Sequence, residues 1–97
     1  NSLQRKSASY QVALMNAILR QWTRPDSVKL GQTCEVLIKQ IPGGEVISVQ
    51  VSPSCPYDDL GRRSVEAAIM KASPLPYAGF EDVFVRNPML KFRAEDL

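Results

Sequence analysis

Residues 33–51, TCEVLIKQIPGGEVISVQV, constrain the fold more than any other stretch of the chain. Val, Ile and Leu are dense on both sides of Pro42-Gly43-Gly44, which predicts two strands joined by a tight turn. Cys34, Val36 and Ile38 alternate with Glu35, Leu37 and Lys39; Ile47, Val49 and Val51 alternate with Val46, Ser48 and Gln50. Each strand therefore has one face fit to bury. A one-residue slip would turn a whole apolar row toward water, so the register is constrained. Placing both rows on one face pairs Ile38 with Val49 and Val36 with Val51, sets Ile41 against Val46, and leaves residues 42–45 as a four-residue loop. Extending the ladder puts Cys34 opposite Pro53, one diagonal from Cys55.

A chain of 97 residues makes one domain, residues 1–97, with a single core. The net charge of +2 is spread in mixed signs, too diffuse for a nucleic-acid footprint. No apolar run approaches the ~20 residues of a membrane span. The sequence begins at Asn1 and reads as an excised domain from which any targeting segment has been cut. With two cysteines, the register favours a Cys34–Cys55 disulfide over two unrelated buried thiols, and so an oxidising space. There is no His and no second Cys pair to complete a tetrahedron, so neither metal nor cofactor is expected.

In chain order, residues 3–22 predict an amphipathic helix with Tyr10, Leu14, Ile18 and Trp22 on one stripe and Met15 and Leu19 beside it. Pro25 is expected to stop it near Thr23. Its first two turns carry little apolar surface and are expected to project from the body as the remnant of something longer upstream. After the hairpin, Tyr57-Asp58-Asp59 offers a helix N-cap. The helix it opens should run to about Ala72, burying Leu60, Val65, Ala68, Ile69 and Ala72 and turning Arg62, Arg63, Glu66 and Lys71 outward, until Pro74 ends it. Residues 80–86 predict a short helical turn with Phe80, Val83 and Phe84 on one side. Residues 89–93, MLKFR, alternate again and predict a third strand with Leu90 and Phe92 on one face; a polar, loose tail should follow from Ala94.

This order implies an α+β fold: a three-stranded antiparallel sheet in the order second, first, third, with a right-handed split crossover and the helices, including a long N-terminal one, packed on one face. Leu37, Val46 and Met89 would lie on the bare face. Such a sheet has two edges, the second and third strands, and an edge is either blunted or used. Lys91 and Arg93 fit both roles, as gatekeepers or as flanks of a docking groove.

The runs TCEVLIKQIPGGEVISV, RRSVEAAIMKASPLP and FRAEDL resemble the C-terminal domain (domain III) of the TolA family of the Tol-Pal system, with EAAIMKASPLP the most telling. The similarity covers nearly the whole chain from about Gln21. More distantly, the layout is similar to the C-terminal domain of TonB. The resemblance implies a periplasmic domain of an inner-membrane-anchored protein of a Gram-negative bacterium. Residues 1–10 would then be a stalk junction and 11–97 the globular body. Implied partners are TolB and Pal, with TolQ and TolR acting through an absent membrane anchor; implied roles are outer-membrane integrity and cell division, with filamentous phage and colicins exploiting the same domain. A cystine occurs in some members, but Cys55 sits earlier in its loop than the family's second cysteine, so the bridge here rests on register.

Members of this family bind extended peptides by adding a strand to a sheet edge, which points to Met89, Leu90, Lys91, Phe92 and Arg93. Three added main-chain hydrogen bonds at ~1 kcal/mol each fall short of the ~8 kcal/mol of micromolar affinity. Side chains must supply the rest, and Leu90, Phe92, Tyr10 and Leu14 are the candidates beside their role as core. Two alternatives stand: a TonB-type energy transducer for outer-membrane receptors, and a small phosphate-binding enzyme on the split-crossover skeleton. The enzyme is disfavoured because no Gly-rich phosphate loop and no His are present, and Asp58-Asp59 reads as a cap rather than a dyad. Nucleic-acid binding lacks an aromatic platform on the strands.

Overall fold

The computed structural model describes residues 2–94. The elements are α1 (Ser2–Leu19), β1 (Thr33–Gln40), β2 (Val46–Val51), α2 (Asp59–Ala72), one 3-10 turn (Glu81–Val83) and β3 (Met89–Arg93). The sheet is antiparallel in the order β2-β1-β3, and both helices cover one face of it, as the strand alternation requires.

Ile38 pairs with Val49 and Val36 with Val51, as hydrophobic patterning demands. At the turn the ladder departs from expectation. Lys39 pairs with Ser48 but Gln40 with Val46, so Ile47 is the extra residue of a β-bulge. The bulge reverses the facing of the strand start: Val46 is buried and Ile47 is 52% exposed, the opposite of simple alternation. Ile41 pairs with Glu45 instead of Val46, its N–H donating to the Glu45 carbonyl at 3.1 Å, while Gly44 N–H donates to the Ile41 carbonyl at 2.9 Å. Gly43 and Gly44 hold φ of 102° and 90°, a region where a Cβ is strained, and this explains the glycine pair.

α1 sends Tyr10, Leu14 and Ile18 into the core. It ends at Leu19, earlier than Pro25 requires. Gln21 and Trp22 donate to the carbonyls of Ile18 and Leu19, so the chain tightens into three-residue turns and leaves the helical path. The tightening brings the Trp22 indole edge-on to Phe92 at 4.7 Å between ring centres, with its Nε1–H donating to Ser64 Oγ at 2.9 Å. An aromatic anchor thus replaces the last expected turn. Residues 2–9 are exposed except Lys6, which is partly covered and forms an ion pair with Asp82 at 2.7 Å.

α2 starts at the expected cap, with Asp58 Oδ1 accepting from Gly61 N–H at 2.9 Å. Its inward stripe is Gly61, Val65, Ala68 and Ile69, with Ala72 half-buried. Leu60, expected inside, is 61% exposed. The helix phase is set by Gly61, whose bare Cα faces Val28 and Tyr57 so closely that a Cβ would lie 2.5 Å from Val28 Cγ2. Arg62, expected to point outward, instead turns back: Nε–H donates to the Tyr57 carbonyl at 3.1 Å and an Nη–H to the Cys55 carbonyl at 2.8 Å. It thereby satisfies carbonyls of a loop that has no strand partner.

Cys34 and Cys55 form a disulfide across a Cα separation of 4.5 Å, tying β1 to this loop. Phe80, Val83 and Phe84 pack against the core on the expected side, although only Glu81–Val83 is helical. Ala94, expected to begin a loose tail, is fully buried, with its N–H on the Gln32 carbonyl and its carbonyl accepting from Gly31 N–H. Residues 95–97 lie outside the described residues. No described helix is long and apolar enough to cross a membrane.

Candidate functional site

β3 owes its position to alternation: Leu90 and Phe92 are buried under α1, while Met89, Lys91 and Arg93 face away from the core. Its hydrogen-bonding phase follows from the bonds at its two ends. Ile38 N–H donates to the Pro88 carbonyl at 3.0 Å, and Ala94 N–H to the Gln32 carbonyl at 3.1 Å. Bonded pairs in an antiparallel ladder recur every second residue. Leu90 and Phe92, paired with Val36 and Cys34, therefore turn their N–H and C=O groups inward to β1. Met89 and Lys91 turn theirs to the outer rim of the sheet.

That rim opens onto a groove between β3 and α1, about 470 Å³ in volume, whose floor and walls are Ala8, Gln11, Val12, Met15, Met89, Leu90 and Lys91. It continues into a narrower hollow of about 250 Å³, where Tyr10 and Leu14 meet Val83, Val85, Asn87 and Pro88. Tyr10 is held there by Gln40, whose Nε2–H donates to the Tyr10 hydroxyl and to the Val85 carbonyl, each at 2.8 Å. The Val85 carbonyl can only accept, which fixes the orientation of the Gln40 amide.

The opposite rim, along β2, is differently furnished. Val46 N–H donates to Ser73 Oγ at 3.1 Å and Leu75 N–H to the Gly44 carbonyl at 2.8 Å, so the segment leaving α2 is bonded across the start of that strand. The far end of β3 is braced instead from within, by the Tyr57 hydroxyl, which lies 2.9 Å from the Phe92 carbonyl and 3.1 Å from that of Gln32. Burial pushes the Tyr57 phenol above its ordinary pKa.

The residues singled out from sequence fall into two groups. Met89, Leu90 and Lys91 line the groove, and Tyr10 and Leu14 line its narrow end while being almost wholly buried. Phe92 belongs to the core rather than to the groove, fully buried against Trp22. Arg93 lies beyond the groove lining, on the exposed face of the strand. Sequence reading missed Ala8, Gln11 and Val12, and placed Met15 only beside the core stripe. Their spacing of three and four residues was the available signal: it defines a second stripe next to the Tyr10, Leu14, Ile18 one, and small or polar members hid it.

Three similarities bear on this arrangement. A family model described as TonB C terminal matches residues 7–89. The Tol-Pal system protein TolA of Pseudomonas aeruginosa is 33% identical over 89 residues, an alignment covering 87% of this chain. The chain spans 25% of the length of that relative. A solution NMR structure of TolAIII bound to a peptide derived from the N-terminus of TolB matches with a TM-score of 0.70 and 31% identity, covering 90% of this chain and 73% of that one. The chain belongs to the TonB C-terminal family, and within it resembles the third domain of TolA.

Proposed function

We propose that the chain is the partner-binding domain of a Tol-Pal envelope protein and takes an extended segment of a TolB-like protein as a fourth strand along β3. One observation carries the reading: an outer rim with the amides of Met89 and Lys91 directed outward lies beside an apolar groove, in a fold that resembles a TolB-peptide-bound neighbour. Strand addition needs both parts, because main-chain bonds supply adhesion and the groove supplies side-chain burial. The groove volume suits two or three aliphatic side chains, each contributing ~1.5–3 kcal/mol on burial. With ~1 kcal/mol per ladder bond, the total covers micromolar binding after ordering costs.

On this reading the domain works in the periplasm of a Gram-negative bacterium, carried by an inner-membrane anchor that TolQ and TolR engage. Its role is to couple the inner membrane to TolB and Pal at the outer one, in support of envelope integrity and cell division; phage coat proteins and colicins would use the same domain. The family match to TonB supports a second reading, an energy transducer for outer-membrane receptors. Titrating 15N-labelled domain with a TolB N-terminal peptide and with a receptor's extended N-terminal peptide separates the two. The first reading expects saturable amide shifts centred on Met89 to Arg93 and on Ala8 to Met15 with the TolB peptide alone. Lys91→Pro, which removes one rim N–H without touching the core, should weaken that binding at least tenfold; unchanged affinity would eliminate this edge.

A further inference from the structure

The charge around the groove is one-sided in a chain that is nearly neutral overall, at 12 basic and 10 acidic side chains. α1 carries Arg5 and Lys6 and no carboxylate along its whole length. Residues 85–93 carry Arg86, Lys91 and Arg93, again with no carboxylate. Among the described residues two nearby acids are committed elsewhere. Asp82 is held by Lys6 at 2.7 Å, which keeps its carboxyl below the ordinary range, and Glu81 accepts from Gly79 N–H at 2.7 Å. Glu35 stands directly across from Lys91 on β1 and shares its face, on the inner side of β3, while the outer rim beside Lys91 is open. Lys91 makes no ion pair among the described residues, and Arg86 and Lys91 are both exposed.

Side chains of an added strand alternate between two environments. Residues whose main chain bonds to Met89 and Lys91 share their face with Lys91; the residues between them point into the apolar groove. From this we infer that the segment this edge selects alternates aliphatic residues, facing the groove, with acidic ones, facing the Lys91 side. The inference rests on the strand-addition reading and adds to it the chemistry of the guest. Opposite charges across a strand pair attract and like charges repel, so a rim that carries Lys91 and, among the described residues, no acid on its outer side disfavours basic guests and favours acidic ones.

The test uses three soluble ten-residue peptides of one aliphatic pattern, whose alternate positions are Glu, Thr or Lys, titrated against the intact domain by fluorescence anisotropy at low and high salt. The cross-strand pair with Lys91 makes the Glu peptide bind roughly threefold to fivefold tighter than the Thr peptide, and the Lys peptide weaker than both, with the spread narrowing at high salt. Lys91→Glu should invert the order and, separately, Lys91→Gln should flatten it; two substitutions are used so that a folding defect in one variant leaves the other informative. Equal binding of all three peptides that is still lost in Lys91→Pro would overturn the acidic preference and leave strand addition standing. Failure of every peptide to bind would overturn both.

Discussion

Replacing Gly44 by Ala tests how the turn between β1 and β2 is built, with Gly43→Ala as an internal control. The two glycines adopt similar positive φ, 90° and 102°, so each substitution incurs a comparable backbone penalty of about 1–2 kcal/mol. They differ in what a Cβ would meet. At Gly43 there is nothing within 4 Å. At Gly44 the Cβ would collide with the Leu75 carbonyl oxygen and crowd its carbonyl carbon at 3.0 Å and its nitrogen at 3.1 Å, all of them main chain. Backbone cannot swing aside as a flexible side chain does, so Gly44→Ala adds an overpacking penalty of about 1–3 kcal/mol and strains the bond from Leu75 N–H to the Gly44 carbonyl. At 4–8 °C per kcal/mol for a domain of this size, Gly44→Ala should melt at least ~4 °C below Gly43→Ala in a calorimetric or circular-dichroism scan. Equal melting temperatures would refute the claim that close approach of the segment following α2, rather than backbone conformation alone, requires glycine here.

Three further outcomes follow from the packing. Cys34→Ala with Cys55→Ala, which opens a crosslink spanning 21 positions, should lower unfolding free energy by about 3 kcal/mol in urea titrations, and reductant should not destabilise the double variant further. Ile69→Ala, at a fully buried site, should lose about 2–5 kcal/mol, whereas Leu60→Ser should change stability by under ~0.5 kcal/mol; the reverse ranking would contradict the helix phase. Because burial raises the Tyr57 pKa above 10.0, the fold favours the neutral phenol. Stability linked to Tyr57 is thus intact below pH 10.0 and falls as pH rises through the folded value, and Tyr57→Phe should lessen this alkaline loss in denaturant titrations.

Much of the architecture was legible because it rests on patterning. The 2.0-residue period marked the strands and the Ile38–Val49 register, the order of elements with a right-handed crossover arranged them as β2-β1-β3, and the register was enough to bring Cys34 to Cys55. What escaped is local and steric. Nothing in the residues around Ile47 marks a bulge, since Val46 and Ile47 are equally suited to either face; the choice is made when Gln40 takes its buried bonds to Tyr10 and Val85. Leu60 was misplaced because hydrophobicity outweighed the smallest neighbour, yet close contact with Val28 and Tyr57 puts Gly61 inside. Trp22 was read as the end of a helix when a tertiary aromatic contact had already drawn it off. For the site, the edge strand was visible in the alternation of residues 89–93. The groove was not, because its α1 wall is defined by Ala8, Gln11 and Val12, residues that carry no strong signal singly and acquire one only when β3 is placed beside them.

The bracing of β3 by Tyr57, by the Cys34–Cys55 link behind it and by Ala94 has a thermodynamic corollary for any visitor. A guest strand adding along β3 would meet a template already held by these bonds, so the ordering entropy of complex formation would fall mainly on the guest. Association should then resemble docking onto a finished surface, with a rate set by collision and charge rather than by a slow rearrangement of the host.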